Sequence, residues 1–254
     1  MSGSLHGRHA LVTGGSKGIG RAIAAVLTRA GANVTVLGRD QGTLEAVVAS
    51  GDADGYVLAD VTDEQALQAA VEKARDRAGA IDLLVANAGG VESAPFLKTG
   101  ADTFRRMVDL NLLGIVNAVQ AVLPGMVERG FGRIVAVSST AGLKGYAYVS
   151  AYCAAKHAVV GLVRAVALET AKTGVTINAL CPGFTETDLV RDSFTRVSQK
   201  TGRSYEDVLG EVLKDKPLGR LVLPEEVAAA AVFLCSPEAS AVTGQALAVA
   251  GGEV

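Results

Sequence analysis

The residues best placed to do chemistry together are Tyr152 and Lys156, four apart in the segment S-A-Y-C-A-A-K-H-A-V-V-G-L. The segment reads as helix, and positions four apart lie on one helical face, one turn from each other. An ammonium beside a phenol favours the phenolate, so the tyrosine pKa is expected to fall from its ordinary value of about 10 toward working pH. A phenol tuned in that way can give a proton to a carbonyl oxygen or take one from an alcohol. The same spacing also occurs on any helix that half-buries a tyrosine and exposes a lysine. The pair therefore needs support from the elements that would have to position it.

Those elements are strands and helices in alternation. Apolar runs at Ala10–Thr13, Asn33–Leu37, Tyr56–Ala59, Leu83–Ala86, Arg133–Val137, Thr176–Leu180 and Leu247–Ala250 read as strands. Several are unbroken Val/Ile/Leu rather than alternating, as in strands covered on both faces. Helical segments lie between them. Gly18–Ala30 is rich in Ala and closes at Gly31. Thr62–Ala78 opens with Thr62 as the expected N-cap and Gln65 completing a capping box. Ala101–Glu128 is long, and Pro124 is expected to kink or stop it. Ser150–Lys172 carries the tyrosine and lysine, and Pro224–Cys235 opens Pro-Glu-Glu, which suits a helix start. The repetition predicts an α/β domain over residues 1–254, built on a doubly wound parallel sheet of about seven strands with helices on both faces. Asp188–Pro217 is the most polar stretch. It is expected to form one or two short helices and to serve as a substrate lid near the strand ends, a surface excursion without a role being the plainer alternative.

Bulk properties narrow the function class. With 254 residues, 49% of them hydrophobic, the chain can bury a large core. A formal net charge of -2 with no basic stripe gives nucleic acid no footing. Cys153, Cys181 and Cys235 are scattered, which argues against a disulfide framework or a zinc site and suits a reducing cytosol; no metal is expected. The first residues are polar and lack a signal-peptide core, and no uninterrupted apolar run is long enough for a membrane span. A cytoplasmic chain with no membrane partner is the expectation.

The first strand ends in T-G-G-S-K-G-I-G, from Thr13 to Gly20, and a helix follows. Gly14, Gly18 and Gly20 allow backbone to approach a pyrophosphate, whose charge the helix N-terminus attracts. Ser16, Lys17 and Ile19 complete this expected cofactor turn. No G-K-[ST] closes it, so a P-loop is excluded. The second strand ends in Gly38, then Arg39. Without a carboxylate at that end, and with Arg39 and Lys17 able to meet a 2′-phosphate, NADP is favoured, with NAD the alternative. Asp40, next in line, leaves a ribose contact open.

Taken in order, these motifs resemble the short-chain dehydrogenase/reductase family over nearly the whole chain. The glycine turn matches its cofactor turn, and Asp60-Val61 in L-A-D-V matches the acid that meets adenine. Asn87, Ala88 and Gly89 match the family's N-N-A-G, with Ala86 in place of the first Asn. Asn111 in D-L-N-L-L-G, Ser139 in I-V-A-V-S-S-T-A-G, Tyr152 and Lys156 match its catalytic tetrad. Ser139 is preferred to Ser138 by its thirteen-residue spacing from Tyr152. Pro182, Gly183, Thr185 and Thr187 match the segment that holds nicotinamide. The resemblance implies a Rossmann-type fold and an NAD(P)-dependent ketoreductase. Ser139 would bond the substrate carbonyl, Tyr152 would protonate it, Lys156 would tune Tyr152 and hold the nicotinamide ribose, and Asn111 would bind a relay water. His157 is expected to be structural.

Among members, S-A-Y-C-A-A-K and N-A-L-C-P-G-F-T-E-T look most like 3-oxoacyl thioester reductases, polyketide ketoreductases and 3-hydroxybutyrate dehydrogenases. That implies a small-molecule 3-oxoacyl or 3-hydroxyacyl substrate, carried on coenzyme A or a carrier protein. Val91, Glu92, Ala141, Lys144, Tyr146, Val149 and Phe184 are expected to line its pocket, with Lys144 free to meet an acyl carboxylate or phosphate. The apolar surface of Ser150–Lys172 exceeds what one sheet can cover, and the family commonly forms tetramers through that helix and the last strand, so a homotetramer is expected. The alternatives are an NAD-dependent catabolic hydroxyacid or alcohol dehydrogenase and, in another class, a cofactor-binding regulator without catalysis.

Overall fold

The structure, a computed structural model, describes residues 5–214 and 216–254. Seven parallel strands form one sheet: β1 (His9–Thr13), β2 (Asn33–Gly38), β3 (Gly55–Leu58), β4 (Leu83–Ala86), β5 (Gly132–Val137), β6 (Val175–Pro182) and β7 (Ala246–Val249). Their spatial order is β3-β2-β1-β4-β5-β6-β7. The order reverses direction between β1 and β4, and the crevice outside the strand ends at such a reversal is where open α/β sheets bind ligands.

Helices cover both faces. On one side α1 (Gly18–Arg29), α2 (Gln41–Ala49) and α9 (Pro224–Cys235) bury Ile23, Leu27, Leu44, Val47 and Val227 against β1, β2 and β5. On the other, α3 (Glu64–Ala78), α5 (Gly114–Glu128) and α6 (Ser150–Thr170) bury Leu67, Ile115, Val122, Val159 and Val163. Because both faces are covered, the central strands read as unbroken apolar runs, every residue of β1, β4, β5 and β6 being buried. The stretches 101–128 and 150–170 are apolar and long enough to cross a membrane by length and composition. Here most of their buried residues join the sheet-side core, while Met107, Ala151 and Ala155 pack the two helices on each other.

Some local details depart from the sequence reading. Pro124 sits inside α5, which runs on to Glu128. Burial of Val122 and Met126 on either side of it carries the helix through the lost backbone bond. The irregularity falls earlier, where α4 (Ala101–Val108) continues through a π turn at Asp109–Leu113 into α5, so that 101–128 is one helix. The N-cap of α3 is Asp63, whose carboxylate accepts from Ala66 N at 2.9 Å, while Thr62 Oγ1 donates to Asp60. Helix α2, which no periodic signal announces, begins at a cap made by Asp40. The polar segment near the strand ends forms α7 (Asp188–Thr201) and α8 (Tyr205–Lys214), in line with the expected short helices.

Candidate active site

The C-terminal ends of β1, β4, β5 and β6 bring the chemistry-bearing residues together. Gly14 and Gly18 take φ of +64° and +53°, a backbone that side chains disfavour, and so fold the turn after β1 back onto the start of α1. That helix start has no side-chain cap and no acid in its first turn. A helix N-terminus left open in this way is suited to an anion, and the turn fits the pyrophosphate of a dinucleotide. Asn87 stands behind this turn. Its amide donates to Thr13 O and Gly14 O, both at 3.1 Å, while Thr13 Oγ1 accepts from Asn87 N and Ala88 N. The Asn87 amide thus braces the turn, and Ala86 beside it is fully buried in the sheet.

Arg39 and Asp60 meet across the ends of β2 and β3 at 3.3 Å, with the Arg39 side chain 74% exposed. Bonds from Thr62 N, then from its hydroxyl and from Arg39, hold the Asp60 carboxyl below its usual range against the opposing effect of burial. Asp40 caps α2, its Oδ1 accepting from Thr43 N at 2.8 Å. Arg39, Asp60, Leu113 and Asn117 line a cavity of about 600 Å³. Asn117, not anticipated, fixes its floor by donating to Val61 O at 2.9 Å. Glu92 lies on the same wall, bound to Arg106 through both oxygens at 2.9 and 2.7 Å.

The tetrad residues converge next to the turn. Ser138 points into the protein and donates to Lys156 O at 2.9 Å, whereas Ser139 faces the crevice and accepts from Ala141 N. Lys156 is buried, donates to Val137 O at 2.8 Å, and stands 5.6 Å from the Tyr152 ring centroid. Asn111 is buried in the π turn. Its Oδ1 accepts from Gly90 N at 3.2 Å, and its Nδ2 donates to Gly90 O and Met107 O. A Cβ on Gly89 would lie 2.8 Å from Asn111 Oδ1 and 3.5 Å from Lys156 Nζ, so both side chains close around that glycine. His157 is exposed and bonds only Cys153 O of the preceding turn, at 2.9 Å.

One expectation reverses. Burial pushes the Tyr152 phenol up to about 12, and the neighbouring Ser139 hydroxyl offsets this only in part. Burial also brings Lys156 down to about 8. With the ammonium 5.6 Å from the ring centroid, desolvation outweighs charge attraction at this phenol.

Several of the expected pocket residues are engaged with one another. Lys144 is not free: it pairs with Glu253 Oε1 at 3.2 Å and donates to Glu253 O at 3.0 Å. Tyr146 bonds Glu253 and Thr140 Oγ1. Tyr148 has φ of +68°, rare for a side chain of its size, and its carbonyl accepts from Ala94 N at 2.9 Å, tying the two loops at the mouth. Beyond β6, Thr185 Oγ1 bonds Gly183 O at 2.9 Å, and Thr187 caps α7 beside Gly18.

Comparison with known proteins agrees with this geometry. The family model described as short chain dehydrogenase matches residues 8–198. The 3-oxoacyl-(acyl-carrier-protein) reductase FabG of Vibrio harveyi is 39% identical over 98% of this chain and 98% of its own. A D-beta-hydroxybutyrate dehydrogenase of Cupriavidus necator is 39% identical over 98% of this chain and 99% of its own. A crystal structure of a single-residue variant of actinorhodin polyketide ketoreductase with NADPH superposes with a TM-score of 0.93, at 36% identity, over 100% of this chain and 99% of that one.

Proposed function

Since the chain belongs to the short-chain dehydrogenase family and is an NAD(P)-dependent oxidoreductase of ketones and alcohols, we propose that it is an NADPH-dependent reductase of 3-oxoacyl thioesters. The observation that carries the chemistry is the convergence of Ser139, Tyr152, Lys156 and Asn111 beside an open helix N-terminus. The acyl thioester follows from the names of the relatives, together with the sequence of the Tyr152 helix.

Gly14, Ser16, Lys17, Gly18, Ile19 and Gly20 hold the pyrophosphate. Arg39 meets the 2′-phosphate. Asp60, Val61, Asn87, Ala88 and Gly89 flank the adenosine side, and Pro182, Gly183, Thr185 and Thr187 flank the nicotinamide. When bound, the nicotinamide supplies the hydride. Ser139 then donates a hydrogen bond to the substrate carbonyl oxygen. Tyr152, kept protonated by burial, transfers its proton to that oxygen, giving the alcohol. Lys156 stabilises the phenolate left behind, and Asn111 would hold a water that completes the path by which the proton is replaced. Helices α7 and α8 close over the substrate as a lid.

The ion pair between Arg39 and Asp60 favours one second reading. An arginine held by a neighbouring carboxylate offers a 2′-phosphate less, as an NAD-dependent hydroxyacid dehydrogenase would require. Parallel assays with NADPH and NADH decide between them. Acetoacetyl-coenzyme A, acetoacetate and a cyclic ketone serve as substrates, and Tyr152→Phe as control. Turnover of the thioester with NADPH, lost in the control, is the expected result. Turnover with NADH on acetoacetate alone would replace this reading by the second.

A further inference from the structure

The segment after β7 carries a carboxylate that the proposed reaction does not use. The Glu253 side chain is only 2% exposed. Its Oε1 accepts from Tyr146 Oη and Lys216 Nζ and lies 3.2 Å from Lys144 Nζ. Its Oε2 lies 3.3 Å from the position a Cβ on Gly183 would occupy. A carboxylate taken out of water survives only with such partners, and this one has three donors from two separate parts of the chain. Burial works against its charge, yet the bonds from Lys216, Tyr146 and Lys144 keep its carboxyl below the usual range.

The two parts are the ones the reaction needs to coordinate. Lys144 and Tyr146 belong to the loop that follows Ser139, and Tyr146 Oη shares a hydrogen bond with Thr140 Oγ1 at 2.7 Å, one residue from that serine. Lys216, whose side chain is 13% exposed, lies at the C-terminal root of the α7–α8 segment. Its ammonium stands 4.6 Å from the Phe184 ring and 5.4 Å from the Tyr146 ring. From there a row of rings runs into the lid helices. Tyr146 meets Phe184 edge-on at 5.9 Å, Phe184 stacks on Phe194 at 6.1 Å, and Phe194 meets Tyr205 at 6.1 Å.

We propose that Glu253 is a positioning residue for ketone reduction, its carboxylate clamping the lid root at Lys216 to the loop behind Ser139 so that lid and serine hold the substrate together. The proposal rests on the reductase reading above for its kinetic consequence, but the clamp itself does not. Glu253→Gln keeps the shape and removes the charge, while Glu253→Asp keeps the charge on a shorter arm. Hydrogen exchange is followed in peptides covering residues 140–149 and 188–222, with peptides of β1 and α1 as internal reference. In Glu253→Gln, exchange in both test regions is expected to rise about tenfold, as loss of a charge-assisted bond predicts, with the reference peptides unchanged. The KM for ketone is expected to rise about tenfold while kcat stays within about threefold and the KM for NADPH is unaltered, and Glu253→Asp is expected to recover part of each change. Unchanged exchange, or a rise confined to one of the two regions, overturns the clamp. So does a fall in kcat with the KM for ketone unmoved. If exchange rises as expected but wild-type protein reduces no ketone in the panel, the clamp stands and the reductase reading falls.

Discussion

The smallest unit that decides the chemistry is the phenol of Tyr152 with what surrounds it. A positioned acid contributes about 10²- to 10⁴-fold to rate, so Tyr152→Phe should lower kcat by that factor while cofactor affinity, measured by fluorescence titration, stays within about twofold. The pH profile tests Lys156. Its pKa in the folded chain is about 8, below the ordinary 10.5, so it loses its proton as pH rises through about 8 and can no longer stabilise the phenolate formed when Tyr152 gives up its proton. The kcat/KM for ketone reduction is therefore expected to fall above about pH 8, an inflection absent from Lys156→Met; a wild-type profile flat through this region rejects the role. The same shift has a stability sign. Between pH 8 and 10.5 the unfolded chain binds more protons at this lysine than the folded one, so its burial is costly below 8 and that cost is released as pH rises through the window. Gly89 is a sharper test of geometry. A Cβ there would stand 2.8 Å from Asn111 Oδ1, closer than side-chain carbons come, so Gly89→Ala must push Asn111 away from Gly90 or shift Lys156. At least a tenfold loss in kcat is expected, at a stability cost of about 1–3 kcal/mol by denaturant titration.

The elements that carry these residues were legible in the sequence to different depths. The strands were clear because burial on both faces leaves unbroken apolar runs, and β4 matches its expected bounds, Leu83–Ala86. Tyr152 and Lys156 stood out by their four-residue spacing on one helix, whereas Ser139 and Asn111 entered only through the family resemblance, because strand ends and helix asparagines carry no spacing signal of their own. The π turn at Asp109–Leu113 was not: it adds a residue to one turn without any residue type that marks it, and it is what buries Asn111 against Gly90. Pro124 left the course of the helix open in the sequence; α5 runs past it to Glu128 while burying Val122 and Met126 on either side. In T-D-E-Q both Thr62 and Asp63 can cap, and only Asp60, which takes the Thr62 hydroxyl, settles the choice. The Glu253 cluster was invisible because Lys144, Lys216 and Glu253 are far apart in the chain. The cap on α2 yields a prediction at this scale. Asp40→Ala removes the acceptor for Thr43 N and should lower Tm measurably, with NADPH affinity unchanged or improved. A clear loss of NADPH or NADH affinity would mean that Asp40 bonds the ribose after all.

For the molecule as a whole, the sheet ends at β7, whose outer edge pairs with no other strand among the described residues. An edge strand left open invites pairing, and native chains cover or charge such edges. Here the strand is A-L-A-V, with neither charge nor proline. The helix over β6 adds to the argument: α6 buries one side against the sheet yet leaves Leu168 82% exposed on the other. Leu113 and Val127, at the two ends of α5, are exposed on the same face of the sheet. Apolar surface of this kind beside an uncharged sheet edge points to a second copy of the chain, and closed assemblies of two-fold symmetry are the common outcome. We therefore expect light scattering to give a mass of about four chains, two kinds of two-fold contact being available at α5–α6 and at β7. Leu168→Glu places a charge in the first of these and should reduce the assembly to smaller units, while leaving the monomer fold intact by far-ultraviolet circular dichroism. Because the glycine turn, the open start of α1 and Arg39 belong to one chain and lie away from Leu168, the smaller units should still bind cofactor. A wild-type protein that stays monomeric at assay concentration would mean that the edge of β7 and the outer face of α6 are simply tolerated in water.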